Sequence, residues 1–374
     1  MNKNKKYVYF TYNEVLNGVF KSQVLDVITA LKKLDEEVEI QLFSIVSPRN
    51  FFKTYRELKL LENKSIILPG LAPLKYWWLN KIWIFIFNKI FSNKTVFCRG
   101  ALATCLNLKN QYKVIYDGRG AVIAEHEEYG VFNNSGLENS IGILEKKAVL
   151  ESQGCIAVSS KLVEYWKEKF NYNGAKHQII PCTVSSFYKS EILPVDFKNF
   201  LDVNRKHVIY SFAGGNGKWQ GVDKIIEFLE SQFINEINSC AVLLMPTNDK
   251  LEIFKKKYSN RLYMSKVQPN EVHNILSKCD YGIIFRENNV TNNVSSPIKV
   301  AEYLSAGLKV LITGNIGDYS NVITQNNLGY IVSDFTHRLE LNKPNFEEKE
   351  KLKNYANKYY SKNASNVMRR YLYF

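Results

Sequence analysis

The residues best suited to bind an anionic ligand lie in the segment from Ser295 to Glu302. Ser295 and Ser296 are of a type that caps helix N-termini, and Pro297 suits the first helical position because its missing N–H is not needed there. A helix N-terminus presents free N–H groups and a partial positive charge, which favour a diphosphate. Glu302 follows about a turn and a half later, where its carboxylate can accept hydrogen bonds from ribose hydroxyls. The segment therefore predicts a site for a diphosphate-linked ribose.

The flanking pattern places this segment at the start of a helix that packs on a sheet. The helix has a short apolar stripe and a glycine at its end, formed by Ile298, Ala301, Tyr303, Leu304 and Gly307. An apolar run at 310–312 follows, as expected of a buried parallel strand. Taken alone, this pattern also fits any helix that precedes a strand in an α/β protein.

The same stretch resembles the donor-binding motif of nucleotide-sugar glycosyltransferases with the GT-B fold, in particular the large retaining family 4. Members carry the pattern Pro-x-Lys-x-x-Glu-Tyr-Leu-x-x-Gly before an apolar strand, and the matching residues here are Pro297, Lys299, Glu302, Tyr303, Leu304 and Gly307. The resemblance implies that Lys299 and Glu302 belong to a donor site. Many relatives have another Glu eight positions earlier, where this chain has Val294. This departure leaves open how the donor sugar is held.

A glycine-containing loop supplies further donor-binding candidates. The predicted strand 208–213 is followed by Gly214 and Gly215, where the backbone can approach a ligand closely. In relatives a Lys or Arg of this loop reaches the donor diphosphate, and the resemblance gives that role to Lys218. It also gives Val267 a backbone contact with the base.

Two other candidates depend on their position at the end of a strand or in a turn. Arg286 follows the predicted strand 281–285, so it is expected at the ligand-binding edge, where a guanidinium suits a phosphate or a sugar hydroxyl. Gly18 lies in the turn after the first predicted strand. In GT-B enzymes the backbone there often approaches the donor phosphate or the acceptor, although turn formation alone also explains a glycine.

The catalytic candidates follow another predicted strand, at 114–116. Asp117, Arg119 and Glu125 come directly after it, and polar residues at the carboxyl end of a parallel strand face the ligand. Some family 4 enzymes have a similar Asp-x-Arg-Gly stretch with an acidic residue downstream. An Asp–Arg pair that only stabilises a turn is the alternative, and the roles within this group stay open.

Length and element order predict an α/β protein of two domains. The chain has 374 residues, which suits two domains of about 150 to 200 residues each. The resemblance implies a GT-B architecture of two Rossmann-like, doubly wound domains that face a central cleft. We expect an acceptor-binding domain at 1–186, a donor-binding domain at 187–355, and a terminal helix at 356–374 that crosses back to the first domain. Residues 185–205 are polar and predict a linker.

The stretch from Leu74 to Phe91 is rich in Trp, Phe and Ile, with interspersed Lys and Asn. The polar interruptions make it a poor membrane span, which needs about 20 mostly apolar residues. Two interpretations stay open: a helix buried against the sheet, and a helix in the interface of an anionic membrane, where Trp and Lys both sit well. The N-terminal sequence lacks the apolar core of a signal peptide. We therefore expect a cytoplasmic protein, with a peripheral position at the inner face of the cell membrane under the second interpretation.

Composition restricts the remaining function classes. Lys and Arg number 50 against 36 Asp and Glu, a net charge of +14 that suits phosphorylated ligands, an anionic membrane or nucleic acid. The lysines are spread along the whole chain and no nucleic-acid-binding motif is visible, so we do not expect a nucleic-acid partner. The six cysteines are scattered without metal-ligand spacing, so no metal site is predicted.

The expected function, by resemblance, is transfer of a sugar from a nucleotide sugar to a hydroxyl of a glycan or lipid-linked acceptor, with retention of the anomeric configuration. Capsule, lipopolysaccharide or other surface polysaccharide synthesis is the expected setting, and a UDP-sugar is favoured as donor. The nucleotide sugar is a substrate, so no cofactor is expected. Two alternatives are a sugar-nucleotide epimerase of the same fold and, less favoured, a basic nucleic-acid-binding protein.

Overall fold

The computed structural model describes residues 5–62, 64–184, 193–215, 217–235 and 238–374. The chain folds into two α/β units. The first consists of the chain up to Thr183 together with 294–296 and Lys362–Phe374, and the second of Val184–Asn293 and Pro297–Ser361. The expected limits were 186 and 355, and the assignment of acceptor and donor to the two units stays a prediction.

The first unit is built on a parallel sheet. Its strands in the described residues are β1 (Lys5–Tyr12), β2 (Val38–Val46), β3 (Ile66–Pro69), β4 (Thr95–Arg99), β5 (Lys113–Gly118), β6 (Gly154–Ala157) and β7 (His177–Ile179). They are ordered β3-β2-β1-β4-β5-β6-β7, and every neighbouring pair is parallel. The chain reverses its direction of travel across the sheet between β1 and β4. Ligands of doubly wound sheets bind at this reversal, outside the carboxyl ends of the strands.

Helices cover both faces of this sheet. They are α1 (Gly18–Phe20), α2 (Asp26–Leu34), α3 (Phe51–Leu61), α4 (Lys81–Ile86), α5 (Asn88–Phe91), α6 (Ala101–Asn107), α7 (Val122–Tyr129), α8 (Ile141–Glu151) and α9 (Ser160–Phe170), with a π-helical turn at Lys21–Leu25 and 3-10 turns at Pro48–Asn50 and Leu74–Asn80. Alternate residues of β1 enter two separate apolar clusters, Val8 and Phe10 in one and Tyr7 and Tyr9 in the other. Both faces of the sheet are therefore buried, as expected of a parallel sheet.

The second unit repeats this plan with a parallel sheet of β8 (Val208–Ala213), β9 (Ser239–Leu244), β10 (Leu262–Ser265), β11 (Tyr281–Ile284), β12 (Lys309–Ile312) and β13 (Gly329–Ile331). The strand order is β10-β9-β8-β11-β12-β13. The reversal falls between β8 and β11, the strands that precede Gly214 and Arg286.

The helices of the second unit are α10 (Val195–Val203), α11 (Val222–Asn235), α12 (Asp249–Lys257), α13 (Pro269–Leu276), α14 (Val290–Asn293), α15 (Ile298–Ala306), α16 (Tyr319–Gln325) and α17 (Phe346–Tyr359), with a 3-10 turn at Lys218–Gln220. The chain ends with α18 (Ser365–Met368) and a 3-10 turn at Arg369–Tyr373. Val367, Met368 and Tyr371 of this last segment join the apolar cluster around Tyr9 in the first unit.

Several helices and one strand were not predicted from the sequence, among them α3, α10 and β3. In α3 only Leu58 is buried, and in α10 only Phe197 is buried, so neither helix shows a wide apolar stripe. The α10 helix occupies part of the predicted linker 185–205, of which 185–192 lies outside the described residues. The missed strand, β3, is four residues long at the edge of its sheet.

The aromatic stretch from Leu74 to Phe91 is not the single helix that was predicted. It forms a 3-10 turn followed by the two short helices α4 and α5. Ile84 and Phe91 are buried in the core, whereas Trp78, Ile82 and Phe85 are 52%, 51% and 83% exposed. Within the described part of the chain, no helix has the length and apolar character needed to cross a membrane.

Candidate functional site

In the second unit, the predicted donor residues gather where the sheet reverses. Arg286 follows β11, and its backbone is fixed by Thr313 at the end of β12. The Thr313 Oγ1 accepts a hydrogen bond from Arg286 N at 3.0 Å and donates to Arg286 O at 3.2 Å. The guanidinium Nη1 donates to Asn292 Oδ1 at 3.3 Å. The sequence analysis correctly placed Arg286 at this edge, and its contact with a donor stays a prediction.

Lys299 is the cation at the centre of this edge. It is only 8% exposed, and its Nζ donates a hydrogen bond to Gln220 Oε1 and lies 4.7 Å from the centre of the Phe212 ring. A Cβ atom at position 214 would be 2.8 Å from the Nζ and 2.9 Å from the Phe212 ring, so the glycine leaves room for both side chains in these positions. Burial, together with the charge of Arg286, lowers the pKa of Lys299 to about 7, while Glu302 acts in the opposite direction. An anion bound beside this Nζ would favour its charged form.

Glu302 and Tyr303 lie one turn further along α15. Glu302 is half-buried. Tyr303 is fully buried, accepts a hydrogen bond from Ala213 N at 3.2 Å and donates one to Ile283 O at 3.3 Å. Its ring lies against Gly282, where a Cβ would approach it to 2.3 Å. Tyr303 therefore ties α15 to β8 and β11, and so fixes the positions of Lys299 and Glu302 at the edge of the sheet.

The predicted capping of this helix is wrong. The helix α15 begins at Ile298 with Pro297 at its N-cap, and no side chain caps it. Ser296 instead accepts a hydrogen bond from Cys182 N at 3.0 Å, and both residues belong to the first unit. The reason is that Pro297 adopts an extended backbone and so takes the cap position that Ser296 was expected to fill. A ligand contact of Ser295, Ser296 or Pro297 stays a prediction.

The remaining donor candidates lie in two loops. Lys218 begins the 3-10 turn after β8, but its side chain lies outside the described part of the structure. Beside Gly215 there is open space, since an added Cβ would meet no atom within 4 Å. Val267 follows the edge strand β10 and packs against the core of its unit. The sequence analysis missed Gln220, whose type gave no signal before its contact with Lys299 was known.

In the first unit, a pocket of about 390 Å³ lies at the corresponding reversal, outside the carboxyl ends of β1, β4 and β5. Its wall includes Glu125, which was a catalytic candidate. Burial, with a smaller contribution from Glu128, raises the pKa of Glu125 to about 7. A carboxyl group with this pKa can donate or accept a proton near neutral pH. Gly120 faces it closely, because a Cβ there would lie 2.2 Å from Glu125 Oε1.

Asp117 and Arg119 form a buried ion pair. Asp117 has no exposed surface, and its Oδ2 accepts hydrogen bonds from Tyr9 Oη and, at 2.9 Å, from Arg119 Nη2. The Arg119 Nε lies 2.8 Å from the other carboxylate oxygen, and Nη2 also donates to Tyr371 Oη at 3.1 Å. This geometry matches the alternative in which the Asp–Arg pair only stabilises a turn. It argues against direct substrate contact by Asp117. The catalytic role of the two residues stays a prediction that burial does not favour.

Two nearby positions complete this region. Glu145 was missed: it has no exposed surface, and its Oε2 accepts a hydrogen bond from Ile123 N at 2.8 Å in the first turn of α7. Burial raises the pKa of Glu145 to about 7. Gly18 begins α1 beside Asn17, whose side chain caps that helix, and an added Cβ would meet no atom within 4 Å. The approach of a ligand to Gly18 stays a prediction. Within the described residues, no cluster of His, Cys, Asp and Glu could hold a metal ion.

No protein-family model matches the sequence, and no curated protein is similar to it at the level of sequence. Solved structures do match along the whole chain. HepE from Anabaena, in complex with UDP, is 9% identical with a TM-score of 0.69, and the match covers 98% of each chain. A glycosyltransferase from Rickettsia africae is 16% identical with a TM-score of 0.67, covering 99% of this chain and 97% of that one.

A third match is WaaG, a glycosyltransferase involved in lipopolysaccharide biosynthesis, at 14% identity and a TM-score of 0.58 over 97% of this chain and 94% of that one. At these identities the likeness concerns the fold. It agrees with the two doubly wound parallel sheets described above. The chain therefore has the GT-B fold of these glycosyltransferases.

Proposed function

We propose that the chain is a glycosyltransferase that moves a sugar from a nucleotide-sugar donor to a hydroxyl of a glycan or lipid-linked acceptor. The observation that carries the proposal is the position of the buried Lys299, which lies beside Gly214 and within the electrostatic influence of Arg286 and Glu302, where the second sheet reverses. The buried Lys299 lies beside a glycine that keeps the backbone open, and Arg286 is close enough to lower its pKa. The GT-B fold of the chain supports the proposal but hosts more than one chemistry.

The proposed reaction breaks the bond between the anomeric carbon and the diphosphate oxygen while the oxygen of an acceptor hydroxyl bonds to that carbon, and the hydroxyl proton passes to a base in the site or to the departing diphosphate. Negative charge then accumulates on the departing diphosphate. We assign its stabilisation to Lys299, Arg286, Lys218 and the N-terminus of α15, without a metal ion, because preorganised cations at a developing charge are an effective catalytic device. Glu302 is assigned to the ribose hydroxyls.

UDP is the favoured nucleotide, since HepE, which shares the fold, was solved with UDP. Retention of the anomeric configuration remains the proposal that follows from the resemblance to family 4. In the first unit we assign the contact with the acceptor hydroxyl to Glu125, because it lines the pocket and its pKa of about 7 suits either protonation state. We assign Asp117 and Arg119 to holding the loop before Glu125 in place.

We further propose that the stretch from Leu74 to Phe91 contacts an anionic membrane from its cytoplasmic side. Its most exposed apolar side chains alternate with exposed lysines, a combination that suits the boundary between headgroups and acyl chains: Lys75, Trp78, Lys81, Ile82, Phe85, Ile86 and Lys89. Such contact is what a lipid-linked acceptor requires. The shared fold with WaaG supports surface polysaccharide synthesis as the setting.

The deciding experiment measures thermal stabilisation by UDP, GDP and CMP in the parent, Lys218→Ala, Lys299→Ala and Glu302→Ala proteins. A ligand that binds the folded state raises the melting temperature by mass action. We expect UDP alone to stabilise the parent and to lose this effect in the variants. If no nucleotide stabilises the parent, the proposal is wrong, and salt-dependent binding to an oligonucleotide would then favour the nucleic-acid alternative.

A second measurement separates transfer from epimerisation. UDP-sugars are incubated with the protein alone, and the sugar nucleotide is analysed for inversion at a ring carbon. A transferase leaves the donor unchanged or hydrolyses it slowly, whereas an epimerase converts it without any acceptor. Conversion without acceptor would contradict the proposed transfer and establish the alternative.

A further inference from the structure

A second arginine in the first unit remains without a role in the proposed reaction. Arg99 is the last residue of β4 and lines the pocket that contains Glu125. It is 7% exposed, so its guanidinium is largely removed from bulk water. A buried guanidinium requires hydrogen-bond acceptors, because its five N–H groups lose their water partners.

The protein offers few hydrogen-bond acceptors to the guanidinium of Arg99. The Nε lies 3.4 Å from Glu14 Oε1, a long contact with a carboxylate that is itself 33% exposed. Within the described part of the chain, neither Nε nor Nη1 of Arg99 has a hydrogen-bond partner. Arg119 in the same pocket wall differs in degree: its Nη2 donates to Asp117 and Tyr371 and its Nε lies 2.8 Å from Asp117, although in the described residues its Nη1 has no hydrogen-bond partner.

The charges around the pocket are close to balanced, so the case for an anion rests on the unmet N–H groups of Arg99. Arg99 and Arg119 contribute two positive charges, and the buried Asp117 is committed to Arg119. Glu14 partly offsets Arg99 from its exposed position. Glu125 adds only a fraction of a charge at neutral pH, since burial raises its pKa to about 7. An oxyanion in the pocket would compete with Glu14 for Arg99 and meet the planar fork of its guanidinium with two parallel hydrogen bonds.

We propose that the pocket of the first unit binds an oxyanion of the acceptor, a phosphate ester or a carboxylate, through Arg99. The inference rests on the proposed transferase function and narrows it to acidic or phosphorylated acceptors. A second pocket of about 630 Å³ shares Tyr12, Asn13 and Leu74 with the first. Its wall carries the amides of Asn133 and Asn134, which suit sugar hydroxyls. The acceptor therefore extends from the oxyanion into this second pocket.

The test measures binding of three probes by calorimetry: glucose 1-phosphate, glucuronate and uncharged glucose. Saturating UDP is present throughout, so that the donor site of the second unit is occupied. We expect at least one charged probe to bind the parent and glucose to bind much more weakly. The two charged probes distinguish a phosphate from a carboxylate as the preferred group. In Arg99→Gln the charged probe should bind roughly 10- to 100-fold more weakly, the range for a hydrogen-bonded charged pair.

Three further variants complete the test. Arg56→Gln changes an exposed arginine outside both pockets and should bind the probe like the parent. Arg99→Lys keeps the charge but loses the fork, and should bind with intermediate affinity. Glu14→Gln removes the partly exposed carboxylate that competes for Arg99, so it should bind the probe more tightly even if Arg99→Gln does not fold.

The outcomes separate the inference from the function on which it rests. If UDP binds but no charged probe does, or if Glu14→Gln and Arg99→Lys bind it like the parent, the oxyanion site is refuted and the transferase proposal stands. If UDP fails to bind, the proposed function is itself refuted, and with it the interpretation of the oxyanion as part of an acceptor.

Discussion

Each unit carries charged residues at the point where its sheet reverses, between β1 and β4 in the first unit and between β8 and β11 in the second. The two sets of residues differ in how far other protein groups pair with them. In the second unit Lys299 is buried with one amide partner, and burial lowers its pKa to about 7, so that an anion bound beside it would favour its charged form. In the first unit Arg119 is paired with Asp117 and donates to Tyr371, and in the described residues its Nη1 has no hydrogen-bond partner. We therefore expect a ligand contact at Lys299 rather than at Arg119, because Arg119 already has a charged partner within the protein.

The largest expected effect on sugar transfer is at the proposed donor site, the edge of the second sheet that carries Lys299. Lys299→Ala should reduce sugar transfer by roughly 10²- to 10³-fold, as removal of one preorganised donor does elsewhere. The measurement is the initial rate of UDP release with the parent and the variant. The matched control is Lys250→Ala, which removes an exposed lysine paired with Asp223 and should leave the rate unchanged. An unaltered rate in Lys299→Ala would remove the contrast between the two reversals.

The next effect concerns the buried carboxyl group of Glu145 in the first unit. Burial raises its pKa from 4.5 to about 7, so the folded state holds this proton between those values while the unfolded state releases it. The free energy of unfolding should therefore fall as the pH rises from about 5 to 7, by at most roughly 3 kcal/mol. Glu145→Gln keeps an oxygen for Ile123 N and should flatten this dependence.

Urea unfolding at pH 5 and pH 8 measures the effect of Glu145→Gln. The control is Glu128→Gln at an exposed position of α7, which should keep most of the parent's pH dependence. Glu125 has a raised pKa of the same origin and contributes in the same direction, so the flattening is partial. Equal slopes for the parent and Glu145→Gln would mean that Glu145 is charged in the folded state.

The positions of most proposed donor-site residues could be predicted from the sequence, because local spacing determines them. Lys299, Glu302 and Tyr303 share one helix, and Gly214 and Arg286 each follow a strand whose apolar run is visible. The contact between Lys299 and Gln220 could not be predicted, because it joins two segments that only the fold brings together. The same holds for Asp117 and Tyr371, which meet at Arg119 although 254 positions separate them.

The predictions for the helix cap and for the aromatic stretch were wrong for a different reason. Ser296 is of a residue type that often caps helices, but its hydroxyl accepts a hydrogen bond from Cys182 N instead. This bond depends on a tertiary contact that the local sequence does not reveal. Residues 74–91 have the apolar content of one helix, yet the chain turns at Tyr76, whose backbone is not helical, and again near Phe87. Local propensity is a weak guide where packing competes with it.

A smaller effect tests the structural assignment of the ion pair in the first unit. Tyr371→Phe removes the hydroxyl that accepts from Arg119, and should lower the free energy of unfolding by about 1 to 3 kcal/mol, the cost of a lost partner for a buried charged donor. Tyr373→Phe, at a side chain 72% exposed, is the control and should be neutral. If Tyr371→Phe abolishes transfer without changing stability, Arg119 acts in the reaction and the contrast drawn above is wrong.

The smallest expected effect extends the comparison to the surfaces of the two units. Phe85 is 83% exposed in the first unit and Phe346 is 77% exposed in the second. In the sequence Phe85 is flanked by the exposed Ile82 and Ile86, whereas two glutamates follow Phe346. Burial of a Phe side chain contributes about 1.5 to 3 kcal/mol when complete, and less in an interface. Phe85→Ser should therefore weaken binding to anionic vesicles several-fold in a sedimentation assay, whereas Phe346→Ser should not. Equal binding by both variants would leave the position of the acceptor at the membrane without support, because the acceptor-binding unit would then have no preferred contact with lipid.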